Sequence, residues 1–278
     1  GILPLGSGTR RALLTIVLVL LVLEMLPLLS IILISFAREG SWTWQIVPQA
    51  YTTENYVKLF SDEAVFRPMY NSVTMSVLTV AATLIVGTGV AYLITKGPLR
   101  RRRLLFDALA TLPYAVPGTV IAISLILAFN TPTVFTGGEV LVGTFIILPL
   151  AYFVKMFPLV VRSTSAALTQ VDDSVLEAAE TFGAGAVHRL RKVLVPLIWP
   201  GIVSGGLLVM ITALGEFVSS ILLYTYANRP ISVEILAQMR TYNFGAAAAY
   251  SVLLLVLILL LTVVAQKLSK NREGAFTI

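Results

Sequence analysis

The chain has 278 residues, 57% of them hydrophobic and only 12% charged, with a mean hydropathy of +0.90; these values exclude a soluble domain of ordinary composition and indicate an integral membrane protein. The net charge of +6 is distributed in a way that reads as membrane orientation rather than nucleic-acid binding. With no cysteine there is no disulfide framework, thiolate nucleophile or cysteine metal site, and a single histidine, His188, excludes a centre built from several histidines.

After Arg10 and Arg11, an apolar run over 12–36 is long enough for one crossing at about 20 residues. It is too long for a signal peptide and has no small-residue cleavage site after it. Glu24 lies in its middle. A carboxylate at that depth usually faces the bundle interior, which makes Glu24 a pathway candidate; the alternative is a protonated or paired packing residue beside Pro27. Residues 37–70 are polar and aromatic, with Trp42, Trp44, Tyr51 and Tyr56, and read as an external loop. The second span, 71–95, carries Gly87 and Gly89 as small residues for close helix contact and runs into Lys96 and the arginines Arg100, Arg101, Arg102 and Arg103. So dense a positive cluster places this turn in the cytoplasm.

The third span, 104–129, contains the stretch LPYAVPG over 112–118, where Pro113 and Pro117 with Gly118 predict a broken helix. Free backbone groups at membrane depth are tolerated only beside neighbouring helices or a cavity, so Pro113, Tyr114 and Pro117 are candidate pathway lining. A fourth span over 140–161 holds Pro149, Pro158 and Lys155, the last expected to snorkel to the inner end. The fifth, 197–223, includes Gly201, Gly205, Gly206, Gly215 and Glu216. Glu216 is the second buried acid in the candidate pathway, or else a wet carboxylate near the outer interface. After an outer loop over 224–245 comes the last span, 246–266, and a tail with Lys267, Lys270 and Arg272.

Between the fourth and fifth spans lies a polar loop, 163–196. Ser174 followed by Glu177 is a capping-box signature, Val175, Ala178, Ala179 and Phe182 share one helical face, and Gly183 is a natural stop. A second helix is expected from residue 186, with Val187, Leu190 and Leu194 on one side and His188, Arg189, Arg191 and Lys192 around it, ending or kinking at Pro196. The unit has the form of a docking knob; the plainer alternative is an amphipathic loop packed on its own protein. Counting basic residues with both termini inside puts 14 on the inner side and five on the outer, with Lys155 in a span. That bias places the knob in the cytoplasm. The expectation is an all-α membrane protein, one domain of six transmembrane helices, with N and C termini cytoplasmic.

The residues Glu177-Ala178-Ala179, then Gly183, then Val193-Leu194-Val195-Pro196 resemble the EAA loop of the membrane subunits of binding-protein-dependent ABC importers, with Val193 and Val195 standing where Ile and Leu are commoner. YTTENYVKLF over 51–60 resembles the segment before the second conserved span of these type I permeases. LPYAVPG, NRPISV over 228–233 and NFGAAA over 243–248 look like the ferric-iron branch, with polyamine and aminoalkylphosphonate permeases similar. The resemblance implies a coupling helix, carried by Glu177, Ala178, Ala179, Phe182, Gly183 and Pro196, that seats in an ABC ATPase dimer.

It further implies a second permease subunit, an extracytoplasmic solute-binding protein and a bacterial or archaeal cytoplasmic membrane, with no nucleic acid. ATP and Mg would sit on the partner ATPases, with no cofactor in this chain, and solute would pass by alternating access. The first-ranked solute is ferric iron, and the two intramembrane acids suit a cation. Independently, the chain has no GxxxxGK[ST], HExxH or GxSxG, so it has no phosphate-binding loop of its own and an intramembrane enzyme is disfavoured. The competing class is a secondary transporter that works without ATPases. A start at Gly1 rather than Met leaves open a longer parent chain.

Overall fold

The backbone is described for residues 6–42 and 45–273 of a computed structural model, and the side chains for these except Ser7, Phe135 and 268–273; Trp44 and the side chains of Lys270 and Arg272 thus lie outside the described residues. By contacts the chain divides into two units, Gly1–Val65 with Ile235–Leu253, and Phe66–Glu234 with Leu254–Ile278.

In the first unit, α1 (Ser7–Ile34) is apolar apart from Arg10, Arg11, Glu24 and a few small polar residues, and its apolar stretch buries no residue fully, as a helix facing lipid should be. The loop after it is more ordered than its polarity suggests. It contains α2 (Glu54–Ser61), and Asn55 Nδ2 donates to the carbonyls of Ser35 and Ala37, both at 2.9 Å. Tyr56 adds a hydrogen bond to Ser35 Oγ at 2.7 Å. Ser35 is the C-terminal cap residue of α1, so the ENY segment ties down that end of the helix and the residues just past it. Helix α3 (Glu63–Thr95) starts eight residues earlier than the apolar run indicates, because Asp62 Oδ1 accepts from Ala64 N at 2.9 Å and caps it.

In the second unit, the third span is broken as expected. Val116 is extended (ψ 129°), because a residue preceding proline is pushed out of the helical region, and Pro117 (ψ 138°) is the N-cap of the helix that follows. The two halves, α4 (Arg103–Ala115) and α5 (Gly118–Phe129), meet at 95°. Helix α6 (Ile147–Gln170) corrects the fourth span: it begins seven residues later than 140 and runs nine past 161. Pro149 lies in its first turn, where no amide partner is needed, and nothing from Arg162 to Gln170 breaks a helix. The charge of Arg162 does not end the helix.

Helix α7 (Asp173–Thr181) is followed by α8 (Ala186–His188), a π segment Arg189–Leu194, and α9 (Val195–Leu214), which together form one continuous rod. Pro196 therefore neither ends nor separates the second helix. Lacking an amide, it cannot bond the carbonyl of Lys192, and the wider π turns lie just ahead of it. Helix α9 stops at Gly215, short of the expected 223, and the chain resumes as α10 (Ser220–Leu223), so the fifth span is broken too. Helix α11 (Ile231–Arg240) lies in what sequence alone reads as an outer loop, and α12 (Phe244–Glu273) is the last span. Among the described residues, five helices are long and apolar enough to cross a membrane, and six if the bent pair α4 and α5 counts as one.

Helix α6 is the centre of the second unit. Its Ile147, Ala151, Tyr152, Met156 and Val160 are buried in one cluster with Met75, Ile121, Leu125 and Val209. A second cluster, Ala91, Ile94, Val161, Leu168, Leu194 and Ile198, closes the end that carries α7. The α6–α9 contact depends on small residues: a Cβ on Gly201 would lie 2.5 Å from Ala167 Cβ, and one on Gly205 would overlap Ser163.

Candidate functional site

The two helix breaks meet. Gly118, first residue of α5, approaches so closely that a Cβ there would lie 3.0 Å from Ser219 Oγ and 3.2 Å from Lys155 Nζ, and Ser219 Oγ donates to the Gly118 carbonyl at 3.3 Å. At this junction Lys155 Nζ donates to Glu216 Oε2 at 2.7 Å, with the Glu216 side chain 5% and the Lys155 side chain 21% exposed. Glu216 Oε1 also accepts the Ser219 amide at 3.0 Å, while its carbonyl accepts Ser220 Oγ at 2.7 Å and Ser232 Oγ at 2.8 Å. Tyr152 hydroxyl closes the network on Ser220 Oγ at 2.6 Å. Non-helical backbone at this depth is thus satisfied from within the protein.

Two expectations change here. Lys155 does not snorkel to the inner end but is spent on Glu216, and Glu216 is neither wet nor available as a free acid. The charge of one cancels that of the other, so the junction is a neutral joint. Sequence reading missed the pairing because the partners are 61 positions apart. Glu24 is exposed on α1, with no described side chain paired to it. Pro113 lies inside α4 and Pro117 precedes α5, and Tyr114, 58% exposed, lines a cavity of about 550 Å³ with Thr111, Pro158, Leu159 and Arg162. No described acid pairs with Arg162. Among the described residues no group of three His, Cys, Asp or Glu is placed to hold a metal ion.

The second locus is the elbow formed by α7 and α8. Its cap is Asp172, whose Oδ1 accepts the Ser174 amide at 2.8 Å, in place of the expected Ser174–Glu177 box. Hydrogen bonds from Ser174, its backbone amide foremost, hold the Asp172 carboxyl below the usual carboxylate range. The stop at Gly183 is as expected: its φ of +81° is a left-handed conformation, and the Ala184 amide returns to the Ala179 carbonyl at 3.0 Å. Arg189 pairs with Glu180 across the turn. Leu176 and Ala179 face the protein and are half-buried. Val175, Ala178 and Phe182, three and four positions apart, form an exposed apolar stripe, Phe182 being 91% exposed. Glu177 is exposed beside it and Pro196 is half-buried at the root of α9.

Residues 84–273 match the family of binding-protein-dependent transport system inner membrane components. A probable ABC transporter permease protein, y4fN, of Sinorhizobium fredii (strain NBRC 101917 / NGR234) is 30% identical over 89% of the chain and 44% of its own length. The ferric transport system permease protein FbpB of Actinobacillus pleuropneumoniae is 26% identical over 77% and 31%. The chain therefore spans less than half the length of these two relatives. It matches the spermidine/putrescine transport system permease protein PotB of Escherichia coli (strain K12) at 29% identity over 86% of this chain and 90% of that one. In fold it is similar to a chain of a bacterial alginate ABC transporter crystallised with an alginate pentasaccharide-bound periplasmic protein, at a TM-score of 0.74 and 19% identity over 95% of this chain and 96% of the other. With most of its length matched, and with an exposed elbow on a bundle of broken spans, the chain belongs to the binding-protein-dependent transport system inner membrane components, the permease subunits of ABC importers.

Proposed function

We propose that this permease carries a small cationic solute, ferric iron in the first reading, inward across the cytoplasmic membrane from an external binding protein, driven by ATPase subunits that seat on the elbow. The observation that carries the docking half is the exposed stripe Val175, Ala178 and Phe182 on a capped helix. A protruding Phe at 91% exposure is a poor surface for a free protein and a good anchor for a groove. Glu177, Ala179, Gly183 and Pro196 frame that anchor and join it to α9.

The solute half rests on the relatives named for ferric iron and for polyamines. The neutral Lys155–Glu216 joint offers no free carboxylate to a cation, so selectivity belongs to the binding protein, and the break around Pro113, Tyr114 and Pro117 serves as pathway lining without a tight site. Polyamine is the second reading, favoured by the 90% of the spermidine/putrescine permease that this chain spans.

The test is reconstitution with the cognate ATPase, second permease and binding protein in liposomes. Uptake of radiolabelled ferric iron that requires ATP, and loss of ATPase co-purification in Phe182→Asp, are expected. ATP-dependent uptake of spermidine alone would replace iron by polyamine. Uptake by the chain without any ATPase would overturn the docking half in favour of a secondary transporter.

A further inference from the structure

The coupling elbow has a second attachment besides the rod that leads into α9. Helix α7 is nine residues long and buries no residue fully, with Leu176 and Ala179 half-buried, so the polar contacts at its ends add to what positions it. At its tail are Gly183 and the Glu180–Arg189 pair. At its head is Asp173, reached by two cations from the turn that follows α3. Lys96 continues the last turn of α3, its amide bonded to the Tyr92 carbonyl at 2.9 Å. Its ammonium, with the side chain only 9% exposed, donates to the Val171 carbonyl at 2.7 Å and to the Asp173 carboxylate. Arg100 donates to Asp173 Oδ2 at 2.8 Å from the opposite side. Beside this clamp, Tyr92 of α3 lines a small pocket with Leu176 of α7 and with Leu190 and Leu194 of the rod below α9, so apolar contact follows the same route.

The charges are arranged for holding. The hydrogen bond from Lys96, then that from Arg100, keep the Asp173 carboxyl below its ordinary range. An ammonium so far out of water is stable only while its acceptors stay in place. Asp172, the preceding residue, caps the helix through the Ser174 amide.

We propose that Asp173 is a positioning residue for transport: clamped by Lys96 and Arg100, it ties the head of the coupling helix to α3, so a pull on the elbow moves the second span together with α9. This rests on the reading of the elbow as the ATPase-docking element. In that reading the lever has two arms, and the inner turn over 96–103 is mechanical as well as topological.

The complete transporter, reconstituted with its ATPase, second permease and binding protein, tests it. The probe is whichever of radiolabelled ferric iron and spermidine the wild-type complex carries. In Asp173→Asn the subunits should co-purify and basal ATP hydrolysis should persist, while solute moved per ATP hydrolysed falls about fivefold or more, the lower end of ordinary coupling between linked sites. Asp173→Glu should recover most of that ratio. A wild-type ratio in Asp173→Asn overturns the proposal. Should that variant fail to assemble, Lys96→Cys with Asp173→Cys supplies the only thiol pair in a chain without cysteine, closed by addition of both thiols to a short bis-maleimide linker. Closing it should raise solute moved per ATP at least fivefold over the open pair, and an unchanged ratio overturns the proposal as well. Failure of the wild-type chain to hold any ATPase is a separate result: it removes the docking reading and this inference with it.

Discussion

Lys155 and Glu216 show how much a single contact decides in a bilayer. Removing one member of a buried pair leaves an uncompensated charge, which typically costs about 3–5 kcal/mol, whereas neutralising both is far milder. Lys155→Met should therefore lower the unfolding midpoint of the purified protein sharply, and Lys155→Met with Glu216→Gln should recover most of it. Equal losses in single and double variants would mean that the contact contributes nothing of its own. The elbow carboxylates give a second test at this scale. Asp172 and Asp173 are both held below the reference value of 3.8 in the folded chain. A depressed carboxyl stabilises above its unfolded value and loses that contribution as pH falls through the folded one. Protease sensitivity within 171–183 should thus be flat from neutral pH down to about 4 and rise only below it. Asp173→Asn should be sensitive at every pH.

At the scale of elements, the bundle depends on close approach between α6 and α9. Gly205→Val would push a side chain into Ser163 and the α6 backbone, and overpacking of this kind costs about 1–3 kcal/mol. Gly89→Ala is the control, because nothing lies within 4 Å of a Cβ there. A thermal unfolding series should separate the two clearly, and equal behaviour would show that the glycines serve no packing role. Some elements were legible from residue order and others were not. The break at Val116 and Pro117 follows from proline chemistry, which is local, and so does the stop at Gly183. The break after Gly215 carries no proline and is held by Ser219, Ser220, Ser232 and Tyr152, partners that only folding brings near. The early start of α3 had a signal in Asp62, a capping residue hidden in a polar stretch that looked like loop.

For the whole molecule, the charged turn over 96–103 and the elbow were both assigned to one side of the membrane by their basic residues, and Lys96 and Arg100 meet Asp173 at one end of the helices. Far from it along α3, Asn71 donates to the carbonyls of Ala227 and Arg229, at 3.1 and 3.0 Å, and Asn228 to that of Thr144 at 2.9 Å, gathering the opposite loops. The apolar spans to within one, the broken third span and the family pattern were readable in the amino-acid order, because hydropathy, proline and spacing act within a few residues. Folding alone decided that Lys155 belongs to Glu216 and Lys96 to Asp173. Those partners lie 61 and 77 positions apart, and a charge finds its counter-ion by proximity in space, to which position along the chain is no guide.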